Sequence, residues 1–126
     1  MRVIAILTIK VFFLSVQPTC AQGFDKGFAA YVVGEYSIAL FEWRRRAQLG
    51  SVTSMANLGN MYEVGAGVLQ SNIFAHQWYN LAASNGDVTA RERKKIVEGK
   101  MTSLQISMAV ALAKKCMISG YVDCEQ

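Results

Sequence analysis

The sequence predicts an all-α fold in which about three antiparallel helix hairpins stack into one domain. Apolar residues recur at helical spacing, glycines followed by capping residues divide that pattern into short segments, and two of the segments repeat. A single Pro and few β-branched runs argue against a β-sandwich with many turns. With 52% hydrophobic and 17% charged residues among 126, the composition also excludes intrinsic disorder.

Residues 1–21 have the pattern of a secretory signal peptide. A positive start precedes an apolar stretch, 3–16, and the small residues Thr19 and Ala21 stand where a signal peptidase cleaves. Lys10 interrupts the apolar stretch and weakens membrane insertion, so a buried first helix is the alternative. No stretch reaches the roughly 18 uncharged apolar residues of a membrane span. We therefore expect a periplasmic or secreted protein, with no stable membrane insertion after cleavage and with residues 22–126 as its mature domain.

Cleavage changes both the charge and the cysteine count. Cleavage removes the basic residues Arg2 and Lys10 and no acidic residue. The mature chain therefore has 11 basic and 9 acidic residues, and its formal net charge is +2 instead of +4. So small a charge gives little long-range attraction to nucleic acid, and no nucleic-acid partner is expected. Cys116 and Cys124 remain, and an even pair in an exported chain predicts a disulfide that closes a short C-terminal loop. Two free buried thiols are the alternative.

The first unit, residues 24–50, contains two amphipathic helical stripes. Their apolar positions are Phe24, Phe28 and Tyr31, then Tyr36, Leu40, Trp43 and Ala47. Gly34 and Gly50 are predicted to end the two helices, because glycine readily takes the left-handed conformation of a helix C-terminus.

The second unit, residues 51–86, repeats this pattern. Its apolar positions are Met55, Leu58 and Tyr62, then Ala75, Trp78 or Tyr79, and Ala82. The predicted N-caps are Ser51 and either Ser71 or Asn72, and the predicted ends are Gly65 and Gly86. In the alignment of the two units, Ala39, Trp43, Ala47 and Gly50 meet Ala75, Tyr79, Ala83 and Gly86.

The third unit, residues 87–116, departs from the first two, as terminal repeats usually do. Its first helix is short and highly charged, is capped by Asp87 and has few apolar residues. Its second helix begins with a capping box formed by Thr102 and Gln105. The apolar stripe of this second helix is predicted to be Leu104, Met108 and Ala111, with Ile106, Val110 and Ala113 beside it.

Eleven residues of the second unit carry a family resemblance. They are Leu58, Gly59, Tyr62, Gly65, Gly67, Ala75, Trp78, Tyr79, Ala82, Ala83 and Gly86. With a Gly-x-Gly-Val loop between its helices, the pattern resembles the Sel-one-like repeat (SLR), a helix hairpin related to the tetratricopeptide repeat. The resemblance extends over residues 24–115 and implies a short right-handed α–α superhelix, or solenoid. It also implies an adaptor role in protein–protein interaction, often in the cell envelope or outside the cell.

No constellation of catalytic, cofactor-binding or metal-binding residues is evident. His76 is the only histidine, is expected near the solvent face and has no visible nucleophile partner. The loop Gly65-Ala66-Gly67 lacks the Lys of a phosphate-binding loop and is read as a tight turn. Arg44, Arg45 and Arg46 are consecutive, so a helix spreads them around its surface. A second basic cluster consists of Arg91, Arg93, Lys94 and Lys95. It is interpreted as a solvated face, with contact to an acidic envelope or membrane surface as the alternative.

The favoured function is therefore binding of another protein or an extended peptide, without catalysis. The helix surface expected to make this contact carries Lys26, Ala30, Asn57, Asn60, Met61, Arg91 and Lys94. The alternative is a small secreted hydrolase acting on cell-wall or β-lactam-like substrates, which would need a nucleophile and a general base within hydrogen-bond reach.

The export and disulfide predictions share one measurement. We expect the intact mass of the exported protein to correspond to a chain that begins at Gln22 and lacks two hydrogens, because cleavage follows Ala21 and Cys116 is joined to Cys124. Mass spectrometry before and after thiol reduction checks both points. A chain that begins at Met1, or a mass that reduction does not change, would contradict them.

Overall fold

The computed structural model describes residues 25–125, which form six α-helices and no strand. The helices are α1 (Lys26–Val32), α2 (Tyr36–Gln48), α3 (Val52–Val64), α4 (Asn72–Ser84), α5 (Val88–Glu98) and α6 (Ser103–Ile118). The predicted all-α class is confirmed. The predicted signal peptide, residues 1–21, and Phe24 lie outside the described residues.

Each predicted N-cap starts a helix. The side chains of Ser51, Ser71 and Asp87 accept the backbone N–H groups of Ser54, Phe74 and Ala90 at 3.3, 3.2 and 2.8 Å. Ser71, and not Asn72, is therefore the cap of α4. The reciprocal capping box of Thr102 and Gln105 begins α6. Asp25, which the sequence did not suggest, caps α1 by accepting from the N–H groups of Gly27 and Phe28.

The glycines predicted to end helices have left-handed backbones. Their φ angles are 82° at Gly34, 87° at Gly50, 74° at Gly65 and 98° at Gly86. Gly67 adds a second requirement, because its φ is 70° and a Cβ atom there would lie 2.6 Å from the Cβ of Tyr36. The Gly-x-Gly loop after α3 therefore packs tightly against the start of α2, which only glycine permits.

Consecutive helices pack together through the first two hairpins, and α4 then contacts both closing helices. The extensive contacts are α1–α2, α2–α3, α3–α4, α4–α5 and α4–α6. The pair α5–α6 is not among them, so the closing helices pack chiefly on α4 and not on each other. This differs from the third hairpin that the sequence predicts. Among residues 25–125, no helix combines the length and apolarity needed to cross a lipid bilayer.

In each of the first two hairpins the backbone of a glycine in one helix packs against an aromatic ring of the other helix. A Cβ atom on Gly27 would overlap the indole of Trp43, and one on Gly59 would lie 2.6 Å from Cδ1 of Tyr79. Both rings are buried, each with 2% exposure. The missing side chains let the paired helices approach closely enough for these large rings to fill the space between them.

The predicted stripe of α6 is wrong. Leu104, Met108 and Ala111 are exposed, Leu104 by 71%, and Val110 beside them is exposed as well. The buried residues of α6 are Ala109, Ala113 and Cys116. These small side chains bring the backbone of α6 close to α4, whereas the larger residues of the other face would hold the two helices apart.

The turn after α6 is closed by a disulfide. Cys116, at the end of the helix, is bonded to Cys124, with their Cα atoms 4.4 Å apart. Both cysteines are buried in the core. The bond agrees with the pairing that the sequence predicts and brings residues 119–125 back against the helices.

Gly59→Ala tests the contact between backbone and ring. We expect it to lower the free energy of unfolding by about 1–3 kcal/mol, because the new methyl group must displace the buried ring of Tyr79. Urea denaturation followed by circular dichroism measures the change. Gly99→Ala is the matched control, since Gly99 has a φ of −61° and only the carbonyl oxygen of Ile96, at 3.3 Å, near its Cβ position. Equal effects of the two substitutions would contradict the prediction.

Candidate functional site

An open groove of about 330 Å³ lies between α3 and α5. Asn57 and Asn60 of α3 line one wall, Asp87 and Arg93 the other, and Tyr79 of α4 lies between them. The groove exists because α3 and α5 each pack on α4, which separates their outer surfaces. We refer to it as the α3–α5 groove.

The two asparagines present amide groups along one edge of the groove. They are three positions apart on α3 and therefore neighbours on its surface. Asn60 accepts a hydrogen bond from the hydroxyl of Tyr31 at 3.3 Å, and its NH₂ group makes no side-chain hydrogen bond within the described part of the chain. The amide of Asn57 makes no side-chain hydrogen bond with any residue in 25–125. Each amide has both donor and acceptor capacity, as does a peptide group.

A polar network fixes the far end of the groove. Arg93 forms an ion pair with Glu63, and the hydroxyl of Tyr79 donates to the same carboxylate at 2.6 Å. These three side chains come from α5, α3 and α4, so the network joins the two walls to the helix beneath them. The Glu63 side chain is only 8% exposed, which strengthens its interactions.

The network changes the pKa values of its members. Burial alone raises the pKa of Glu63, but the hydrogen bonds from Arg93 and Tyr79 and the charge of Arg93 outweigh it, so the pKa lies below its usual 4.5. Burial, followed by the hydrogen bond to Glu63, raises the pKa of Tyr79 far above its usual value. At neutral pH, Glu63 is therefore ionised and Tyr79 is a neutral donor.

Only part of the predicted contact surface lies in the groove. Asn57 and Asn60 line it, whereas Lys26 and Arg91 are exposed elsewhere on α1 and α5. The ammonium of Lys94 donates to the side chain of Asn80 at 3.2 Å and so points towards α4.

Ala30 and Met61 are buried, with 6% and 0% exposure, and cannot belong to a contact surface. The prediction failed because α3 is a middle helix that packs against both α2 and α4. It therefore buries a face much wider than one helical stripe, and Met61 falls within that face. Ala30 faces the core in the same way.

His76 is not near the solvent face. It is 1% exposed, and its Nε2 lies 2.8 Å from a carboxylate oxygen of Glu98. The contacts of α4 with three other helices explain why both of its flanks are buried. Within residues 25–125, no Ser, Thr or Cys side chain is hydrogen-bonded to His76. The same residues contain no group of three or more His, Cys, Asp or Glu placed to hold a metal ion.

The three consecutive arginines form ion pairs with three different carboxylates. Arg44 pairs with Glu125, Arg45 with Glu42 and Arg46 with Asp25. This confirms that the run forms no single basic patch.

Arg93 was not singled out as a groove residue, although the sequence contains a signal for it. Ala90 and Val97 are the buried residues of α5, and Arg93 lies between them at helical spacing. Its side chain is therefore directed towards the core side of the helix, unlike that of Arg91, which is exposed.

Comparison of the chain with protein-family models, with curated proteins and with solved structures found no match. The candidate function therefore rests on the geometry of the groove and on the pattern of the sequence.

The Glu63 network predicts a pH-dependent contribution to stability. The pKa of Glu63 is lower in the folded chain, so its stabilising effect is present above its unfolded pKa of about 4.5 and is lost as the pH falls through the folded pKa. We expect Glu63→Gln to lower the free energy of unfolding by about 1–2 kcal/mol at pH 7, and the difference to shrink towards pH 3.

Urea denaturation at several pH values measures this difference. Glu92→Gln, at an exposed position of α5, serves as the control and should have little effect. A Glu63→Gln effect of the same size at pH 7 and pH 3 would contradict the prediction.

Proposed function

We propose that this chain is an exported Sel-one-like helical-repeat adaptor with no catalysis of its own, which binds an extended segment of another protein in the α3–α5 groove. The observation that carries the proposal is the pair of partly free amides, Asn57 and Asn60, along one edge of an open groove with Tyr79 between its walls.

The chemistry of the groove matches an extended backbone. Peptide groups on one side of an extended chain repeat about every 6.6 Å. Side chains three positions apart on a helix have Cβ atoms about 5–6 Å apart. The amides of Asn57 and Asn60 can therefore bond successive same-side peptide groups, each as donor and acceptor. The small residues Ala56 and Ala90, which also line the groove, leave room for the ligand's side chains.

Several features support the repeat architecture and the location. Two hairpins, α1–α2 and α3–α4, join through α2–α3 as successive units of a short right-handed solenoid would. The third unit is then a modified cap. Residues 1–21 have the pattern of a signal peptide, and disulfides such as Cys116–Cys124 persist chiefly in oxidising compartments. Together these features favour the periplasm or the cell exterior.

Site-specific photo-cross-linking tests the groove. A photoreactive amino acid is placed at Asn57, or at the exposed Glu92 of α5 as a control, and the protein is irradiated in an envelope extract of its own cells. We expect a discrete cross-linked protein from position 57 and not from position 92. Mass spectrometry then identifies the segment attached.

Affinity for that segment decides the proposal. We expect the double variant Asn57→Ala/Asn60→Ala to bind the synthesised segment about thirtyfold more weakly in calorimetry, because each asparagine contributes a net free energy of about 1 kcal/mol and the two together about 2 kcal/mol. The control variant Glu92→Ala/Lys95→Ala, on exposed positions of α5, should bind as the unchanged protein does. Equal cross-linking from both positions, or equal affinity of both variants, would reject the groove as the binding site.

A further inference from the structure

The segment after α6 returns to the helices and places the carboxylate of Glu125 against them. The disulfide holds Cys124 beside Cys116, and the side-chain amide of Gln77 donates to the carbonyl of Cys124. Glu125 then reaches two helices, with one carboxylate oxygen on the guanidinium of Arg44 in α2 and the other 3.2 Å from the indole Nε1 of Trp78 in α4. We refer to residues 119–125 as the tail.

The groups that hold Glu125 belong to the helices and not to the tail. Arg44 also donates to the hydroxyl of Tyr62 at 3.2 Å, which fixes the guanidinium in place. Its Nε is buried and has no hydrogen-bond partner among the described residues, so the arginine retains an unused donor. The indole of Trp78 is 2% exposed. A guanidinium on a side chain that is 40% exposed and a buried indole N–H group therefore converge on one carboxylate, whose side chain is 19% exposed.

The pKa values agree with a carboxylate bound between these groups. Burial raises the pKa of Tyr62 to about 12, and the charge of Glu125 acts in the same direction. The hydroxyl therefore stays neutral and accepts from Arg44 at any physiological pH. Burial lowers the pKa of Arg44, but the hydrogen bond and charge of Glu125, with a smaller effect of Tyr62, raise it overall.

There is room beside Glu125 for more than its own side chain. A cavity of about 300 Å³ is bounded by Arg44, Gln48 and Trp78 on the helix side and by Tyr121 and Glu125 on the tail side. None of these residues lines the α3–α5 groove. The cavity beside Glu125 and the α3–α5 groove are therefore separate sites, and an experiment on one does not test the other.

The tail is held in a conformation that it would not adopt freely. Tyr121 has a φ of 65°, the one non-glycine residue with a positive φ in the described chain. Such a backbone costs about 1–2 kcal/mol and persists where the surroundings impose it. Here the constraints are the disulfide at Cys124 and the bonds of the next residue, Glu125, which together fix the C-terminal end of the tail.

We propose that Arg44 and Trp78 form a carboxylate-binding site for a partner peptide, and that Glu125 occupies this site as an internal ligand while the Cys116–Cys124 disulfide holds the tail in place. The ligand group is an acidic side chain or a C-terminal carboxylate. The tail thus keeps the site closed in the oxidised protein.

A thiol reductant favours opening, because breaking the disulfide releases the tail from α6. Two thiol groups of the reductant form a disulfide, and the electrons and protons they lose convert the bond between Cys116 and Cys124 into two thiols. In the closed protein, Glu125 competes with any free ligand at an effective concentration on the order of millimolar or higher. Once the bond is broken, Tyr121 can relax, and the effective concentration of Glu125 at the site falls.

Nuclear magnetic resonance of the two indole N–H groups tests the site in the ¹⁵N-labelled protein. Trp43 donates to Asp25 and provides an internal reference. Three proteins are compared: the oxidised chain, the reduced chain and the oxidised variant Glu125→Gln. In this variant the disulfide is intact, but the carboxylate that occupies the site is replaced by a neutral amide. Each is titrated with acetyl-Ala-Glu-Ala-amide, with acetyl-Ala-Ala-Ala bearing a free C-terminal carboxylate, and with neutral acetyl-Ala-Gln-Ala-amide.

We expect Glu125→Gln to move the indole signal of Trp78 and to leave that of Trp43 in place. At least one acidic peptide should then shift the Trp78 signal of the reduced chain and of Glu125→Gln at concentrations about tenfold lower than those needed for the oxidised chain. The peptide that acts identifies the side-chain or the terminal carboxylate as the ligand. Adding Arg44→Gln to Glu125→Gln should abolish the shift.

Three outcomes would overturn the proposal. One is a Trp78 signal that Glu125→Gln does not change. Another is an equal response to the neutral peptide and the acidic ones. The third is equal affinity of the oxidised chain and Glu125→Gln for the acidic peptides, since the tail would then not compete for the site.

Discussion

The close approach of a glycine backbone to an aromatic ring determines where α5 packs and where the groove forms. Because Gly59 has no side chain, the ring of Tyr79 lies close against α3, and its hydroxyl reaches Glu63. Glu63 in turn binds Arg93 and so positions α5. The α3–α5 groove is therefore defined by a chain of contacts that begins with one missing methyl group. Gly27 has the same relation to its own aromatic ring in the first hairpin.

The local features of the fold were predictable because they depend on residues close together in sequence. A capping residue such as Asp87 bonds an N–H group three positions later, whatever the rest of the chain does. Helix ends are equally local, since a left-handed residue such as Gly65 can be recognised without knowledge of its neighbours in space. The helix boundaries and the capping box at Thr102 follow from information of this kind, whereas the disulfide of Cys116 was predicted from the even number of cysteines in a chain expected to be exported.

Burial was harder to predict because it depends on how many partners a helix has. One helical stripe suffices for a helix with a single neighbour, but α4 packs against three, so His76 is buried on a flank that looked exposed. The same reasoning applies to Met61 on α3. In α6 the choice was between two apolar faces, and the smaller side chains of Ala109 and Ala113 permit the closer approach. For the groove, the sequence indicated Asn57 and Asn60, and the helical spacing placed Arg93 on the core side of α5, but nothing in the sequence showed that α3 and α5 line the same groove.

The tail contacts residues that are far from it in the sequence, and this separation affects the order in which the chain folds. Contacts between consecutive helices close short loops at small entropic cost, which favours rapid folding. The bond between Trp78 and Glu125 spans 47 residues, and that from Arg44 spans still more. During synthesis from the N-terminus, α1 to α4 can assemble before Glu125 has been added. We therefore expect Glu125 to join helices that are already in place.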